Sequence, residues 1–255
     1  MSQTFILCGF SFLAGLIDSV VGGGGLIQLP ALLLNLPAAT AYASILGTNK
    51  FASFTGTASA AWNYARHTRI EWRVALPGAV GGLIFSTLGS AAASHLDKAL
   101  LRPLVLVLLT TVAIYTFVRK DFGSLHAPRL SPRKQVWIGA LVGAVIGFYD
   151  GFFGPGTGSF LIFIFIGVFG FDFLAASAAA KVINSATNIA SVVYFGWTGH
   201  ILYALAIPMA VCNVLGSFAG TRLAILRGSR FVRGLFLIVV SALICKLAHD
   251  ILQPA

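Results

Sequence analysis

A chain of 255 residues, 58% of them hydrophobic and 9% charged, lies far outside the range of soluble domains and reads as an all-α polytopic membrane protein. The mean hydropathy of +0.91 points the same way. A net charge of +10 would suit nucleic acid, but the cations sit in short loops between apolar runs, the pattern that orients a membrane protein, and no nucleic-acid partner is expected.

Cys8, Cys212 and Cys245 are odd in number and widely spaced within apolar segments, which argues against a disulfide framework or a zinc site and predicts buried thiols. No metal or cofactor is expected. No Lys or Arg precedes Lys50, so a cleaved signal peptide is not expected and the first apolar segment should remain in the protein.

From Thr4 to Leu34 there is no Lys, Arg, His or Glu, and the lone charge is Asp18. A straight helix of that length would run roughly 46 Å, against about 30 Å of hydrocarbon. Four successive glycines, Gly22, Gly23, Gly24 and Gly25, are the expected break. Leu36-Pro37 then turns the chain into a small-residue-rich helix, Ala38 to Tyr64, which carries Thr48, Asn49 and Lys50. A polar loop holds Arg66, Arg69 and Arg73, a third span covers Val74 to Ala93, and a fourth covers Leu100 to Val118. The basic linker 119–135 separates a first membrane repeat, 1–118, from a second, 136–255.

The second half follows the same plan. A broken element from Val136 to Phe169 contains Asp150 and Gly154-Pro155-Gly156-Thr157; a helix from Leu174 to Trp197 carries Lys181, Asn184 and Asn188; spans follow from Ile201 to Leu223 and from Phe231 to Ala248. At an offset of 132, Gly15 aligns with Gly147, Asp18 with Asp150, Gly22 with Gly154, Gly24 with Gly156, Ser53 with Ser185 and Thr55 with Thr187. Lys50 aligns with Lys181 only at 131, and a shift of one residue turns a helical side chain by about 100°. Internal duplication of this kind builds many transporters.

Loop charges bear on how the halves are oriented. If every element crosses the bilayer, the cations divide eight against five. If each broken element instead enters and returns on one side, the halves invert and eleven cations, Arg66 to Arg73, the linker and Arg227 to Arg233, oppose Lys98 and Arg102. The positive-inside rule prefers the second arrangement: inverted repeats, each opening with a re-entrant, glycine-broken helix, and both termini outside the cytoplasm.

Asp18, Asp150, Lys50 and Lys181 are the charges expected well inside membrane helices, where each costs at least about 2.5 to 3.5 kcal/mol and needs a partner or a wet path. Structural Asp–Lys pairs would account for them, and so would proton coupling by the aspartates. The glycines could serve close helix packing, but packing does not call for four together opposite Gly-Pro-Gly. Half-helices starting near Leu26 and Gly158 would point N–H groups and a positive dipole end at a small anion.

The runs G-L-I-D-S-V-V-G-G-G-G-L from Gly15, G-T-N-K from Gly47, G-F-Y-D-G-F-F-G-P-G-T-G-S-F from Gly147 and A-K-V-I-N-S-A-T-N from Ala180 closely resemble the sulfite exporter TauE/SafE family, the toluene-sulfonate uptake permeases, in its bacterial inner-membrane branch. The resemblance implies a permease of two four-helix repeats that moves sulfite, sulfonates or related organosulfur anions, with the Gly-rich and T-N-K segments on the substrate path. An anion channel, or a permease for a non-sulfur carboxylate, is the alternative. An intramembrane hydrolase built on Ser159, His200 and Asp150 is a weaker one, and no ATP-binding G-x-x-x-x-G-K-[ST] loop occurs. The sequence does not choose between a monomer and a homodimer.

Overall fold

The computed structural model describes residues 2–37, 39–94 and 126–252; the expected fourth span, Leu100 to Val118, and the linker as far as residue 125 lie outside the described residues. Within them every regular element is helical: α1 Ser2–Val21, α2 Gly25–Asn35, α3 Tyr42–His67, α4 Trp72–Ala93, α5 Pro132–Phe152, α6 Thr157–Ile164 with a π-helical turn Phe165–Phe169, α7 Phe173–Trp197 and α8 Tyr203–Leu252. Local signals set several ends. Pro132 starts α5, where a missing N–H costs nothing, and the Asp172 carboxylate accepts from the Ala175 N–H to cap α7. The two spans expected on either side of Arg227 abut without a loop, and Gly228, at φ 70 and ψ −173, is the break between them.

Among the described residues, four helices are long and apolar enough to cross a membrane: Gln3–Val21, Trp72–Ala93, Pro132–Phe152 and Tyr203–Gly228. Their outward faces expose Phe10, Leu13, Leu83, Leu141 and Leu215, a liability in water and the matching surface in lipid. Trp62, Trp72, Trp137 and Trp197 are exposed near helix ends, where amphipathic rings suit a membrane interface. The chain is thus a multi-pass membrane protein.

The helix pairs are α1 with α8, α4 with α5, α3 with α8, α4 with α7, and α3 with α7. Contacts fix their directions. Along α1 and α8, Ser11 donates to the Met209 carbonyl, Gly15 packs on Asn213 and Ser19 on Gly220, so these helices run parallel. Gly78, Gly82 and Ser86 of α4 meet Gly143, Gly147 and Gly151 of α5 in step, again parallel and close enough for backbones to touch. Thr55 and Gly56 follow Ala210 and Ser217, and Gly82 and Ser86 follow Thr187 and Ser191. The chain reverses between His67 and Trp72, and Phe195 near the end of α7 packs on Gly47 near the start of α3, so α1, α3 and α8 point one way and α4, α5 and α7 the other.

The breaks send α2 and α6 backwards. Gly24 packs against Ala14, Gln28 accepts from the Ser11 hydroxyl at 3.2 Å, and the Gln3 amide reaches the Asn35 carbonyl, so α2 retraces α1. In the other half Ala127 and Arg129, just before α5, donate to the carbonyls of Gly170 and Phe169, at 2.8 and 3.0 Å. Each broken element therefore ends beside its own start.

Candidate functional site

The break after α1 meets the break after α5 and the start of α6 at the centre. Gly22, at φ 79, lies against Gly158, and its carbonyl accepts from the Ser159 N–H at 3.2 Å. A Cβ on Gly22 would sit 2.5 Å from the Gly158 Cα, so the two breaks cross only because both are glycine at the crossing. The last carbonyls of α1 are capped from the other half: Ser177 donates to Val20 at 3.2 Å and Ser159 to Val21 at 2.9 Å.

Around this crossing the intramembrane charges pair across the halves. Lys50 Nζ lies 2.7 Å from Asp150 Oδ2, and Lys181 Nζ lies 2.7 Å from Asp18 Oδ2. Both lysines are fully buried. Asp18 also accepts from the Thr57 hydroxyl at 3.2 Å and the Gly24 N–H at 3.4 Å. The Thr157 hydroxyl lies 2.7 Å from both Asp150 Oδ1 and the Gly154 carbonyl. The four groups sum to zero, as expected of Asp–Lys pairs, so the lysines bring no net positive charge to the crossing.

A cavity of about 20 Å³, room for one water, opens between the pairs. Asp18, Gly22, Gly25, Asn49, Lys50, Asp150, Gly154, Gly156, Thr157, Asn184 and Asn188 all line it. The N–H groups of Gly25 and Gly158, in the first turns of α2 and α6 on the cavity wall, have no partner among the described residues. The Asn49 side chain is 3% exposed and its Oδ1 has no hydrogen-bond partner among the described residues. Asn188 Nδ2 donates to Asn184 Oδ1 at 3.2 Å, which orients that amide pair.

Four expected residues stand off the wall. Lys181 is sealed behind Asp18, Gly24 packs on Ala14 and Asp18, and Gly23 accepts from the Leu26 N–H at 3.1 Å. Thr48 donates to the Ser44 carbonyl at 2.7 Å and accepts from the Leu202 N–H at 3.0 Å, which ties α3 to the loop before α8.

Ser53, Thr57 and Gly158 also line the cavity, although the sequence did not place the Ser53 and Thr57 side chains on the substrate path. Helices α2 and α6 start 132 residues apart and α3 and α7 start 131 apart; Ser53 and Asn184, and Thr57 and Asn188, are likewise 131 apart. All four of those residues face the cavity, and Lys50 and Lys181 match in the same register.

The residue types of a hydrolytic triad are otherwise engaged. Ser159 donates to Val21, Asp150 holds Lys50, and His200 Nδ1 lies 2.9 Å from the Thr198 hydroxyl. Cys8 and Cys212 are free and only half-buried, a correction to the expected buried thiols, and lie within hydrogen-bonding reach of each other between α1 and α8.

The family model described as sulfite exporter TauE/SafE matches residues 7–247. A probable membrane transporter protein, ORF9, of a Sinorhizobium species is 34% identical over 96% of this chain and 92% of its own length. A probable membrane transporter protein of Haemophilus influenzae is 32% identical over 96% of this chain and 94% of its own, and the probable membrane transporter protein YfcA of Escherichia coli K12 is 30% identical over 96% and 89%. No solved structure matches. The chain belongs to the sulfite exporter TauE/SafE family, a family of membrane transporters.

Proposed function

We propose that this protein is a secondary carrier that moves a small sulfur-containing anion, such as sulfite or a sulfonate, across the bacterial inner membrane by alternating access. One observation carries the reading: two helix breaks, one from each half, meet at a cavity lined by donors and flanked by reciprocal Asp–Lys pairs, inside an otherwise apolar bundle. Unpaired first-turn N–H groups and the Asn49, Asn184 and Asn188 amides are suited to the oxygens of an oxyanion. The family's description as a sulfite exporter supports the substrate class, and the relatives' names support transport.

Inverted repeats supply the alternation. The first half runs forward, back, forward and reverse through α1, α2, α3 and α4; the second runs the opposite sequence through α5, α6, α7 and α8. Swapping the halves exchanges the α1–α8 contact with α5–α4 and the α3–α8 contact with α7–α4. Each broken element returning beside its own start favours re-entry, with the Arg66–Arg73 loop in the cytoplasm. A cavity sized for one water is closed to a sulfonate headgroup, which favours a carrier that must rearrange over an open channel.

The test is uptake into proteoliposomes of sulfite, methanesulfonate, thiosulfate and small carboxylates. Saturable uptake of the sulfur anions with counterflow is expected. A response to carboxylates alone would overturn the substrate class, and flux without saturation or counterflow would overturn the carrier.

A further inference from the structure

We propose that Asp150, and not Asp18, takes up one proton for each anion bound, because the anion draws Lys50 away from it. The inference rests on the transport reading above and names its coupling. Asp18, Lys181, Asp150 and Lys50 sum to zero charge, so a monoanion entering this buried enclosure would leave one negative charge uncompensated. Neutralising one carboxylate by a proton removes that cost.

The two pairs are not equivalent. Lys50 lines the cavity, whereas Lys181 is 0% exposed and does not. Only Lys50 is placed to turn its ammonium towards a guest. Asp18 would keep its three donors, Lys181, the Thr57 hydroxyl and the Gly24 N–H, when a guest binds. Among the described residues Asp150 Oδ2 has no hydrogen-bond donor beyond Lys50, and Thr157 holds Oδ1 alone. When Lys50 swings to a guest oxygen, Oδ2 is left as a buried anionic atom on the wall of the cavity.

The balance is simple. The Lys50 N–H bonds pass from Asp150 Oδ2 to the anion, a proton from the aqueous phase adds to Oδ2, and no covalent bond of the anion changes. Release reverses each step and returns the proton to the side where the anion leaves.

The other titratable groups near Asp150 are few. Asp18 of α1 and Lys181 of α7 pair with each other on the far side of the cavity, and the phenols of Tyr149 and Tyr42 lie close by. Of the helices packed on α5, α6 has no titratable group, and α4 has only Arg73, about 20 Å along the helix from the Ser86 that touches Gly151.

The experiment uses the purified full-length protein with methanesulfonate, whose sulfonate stays ionised throughout the range, unlike sulfite. Proton uptake on binding is read with a pH electrode in weak buffer, and affinity is followed with pH by calorimetry. The wild type should take up about one proton per methanesulfonate and gain up to about tenfold in affinity per unit fall in pH. Asp150→Asn should bind with no proton uptake and a flat pH profile, while Asp18→Asn combined with Lys181→Met, which keeps the sum at zero, keeps the one-proton count.

Wild-type binding without proton uptake would overturn the proposal even if Asp150→Asn failed to fold, and so would uptake that persists in Asp150→Asn. If methanesulfonate, sulfite and thiosulfate all fail to bind at any pH, the transport reading itself falls, a result distinct from binding without protons.

Discussion

Replacing Gly22 by Ala tests whether the two helix breaks touch. At φ 79 any other residue enters the left-handed region, which costs about 1 to 2 kcal/mol. Its Cβ would also stand 2.5 Å from both the Gly158 Cα and the Ser159 nitrogen, backbone atoms that cannot rotate aside. Overpacking of that kind adds about 1 to 3 kcal/mol, so Gly22→Ala should lose about 2 to 5 kcal/mol in all. Gly199→Ala is the control: its φ is 73 but nothing lies within 4 Å of the added methyl, so only the backbone cost remains. Reversible unfolding in mixed detergent micelles, read by far-UV circular dichroism, compares the two. If Gly22→Ala loses no more than Gly199→Ala, the crossing of the breaks is not as described.

Further predictions concern the charges, the scaffold and the topology. Lys50→Ala should abolish sulfite flux and destabilise the fold by about 3 to 5 kcal/mol, because it strands the buried Asp150; Lys50→Met with Asp150→Leu should recover most of the stability and none of the flux in proteoliposomes. Thr48→Val should lose about 1 to 3 kcal/mol, by leaving the Leu202 N–H unsatisfied, with anion affinity unchanged in calorimetry. A reporter active only in the cytoplasm should be silent after Ala255 and active in the Arg66–Arg73 loop; signal after Ala255 would refute the proposed orientation.

The breaks were legible because four glycines, and Gly-Pro-Gly at the same place in the other half, cannot continue a helix in lipid without special surroundings. Helix starts at Gly25 and Thr157 fall within a residue of the positions read from those motifs. The partners of the buried charges were not legible. Pairing Lys50 with Asp150 and Lys181 with Asp18 depends on α3 and α7 crossing to the opposite half, a long-range contact that no local pattern encodes. Ser53 and Thr57 were hidden on a helix rich in small residues and hydroxyls, because which of its faces meets the cavity depends on long-range packing. The Arg-rich stretch at 227–230 reads as a loop, yet a single glycine accommodates the whole turn.

Access to the crossing from water tests the central claim most directly. In a background with Cys8, Cys212 and Cys245 replaced by Ser, cysteines at Ser53 and Asn188 can be probed with an anionic sulfonatoethyl thiosulfonate reagent, with methanesulfonate as competitor. Both sites should label, and the competitor should slow labelling at both. Cysteines that stay inert from either face of the membrane, or that label at one rate whatever the competitor, would contradict an anion site where the two breaks meet.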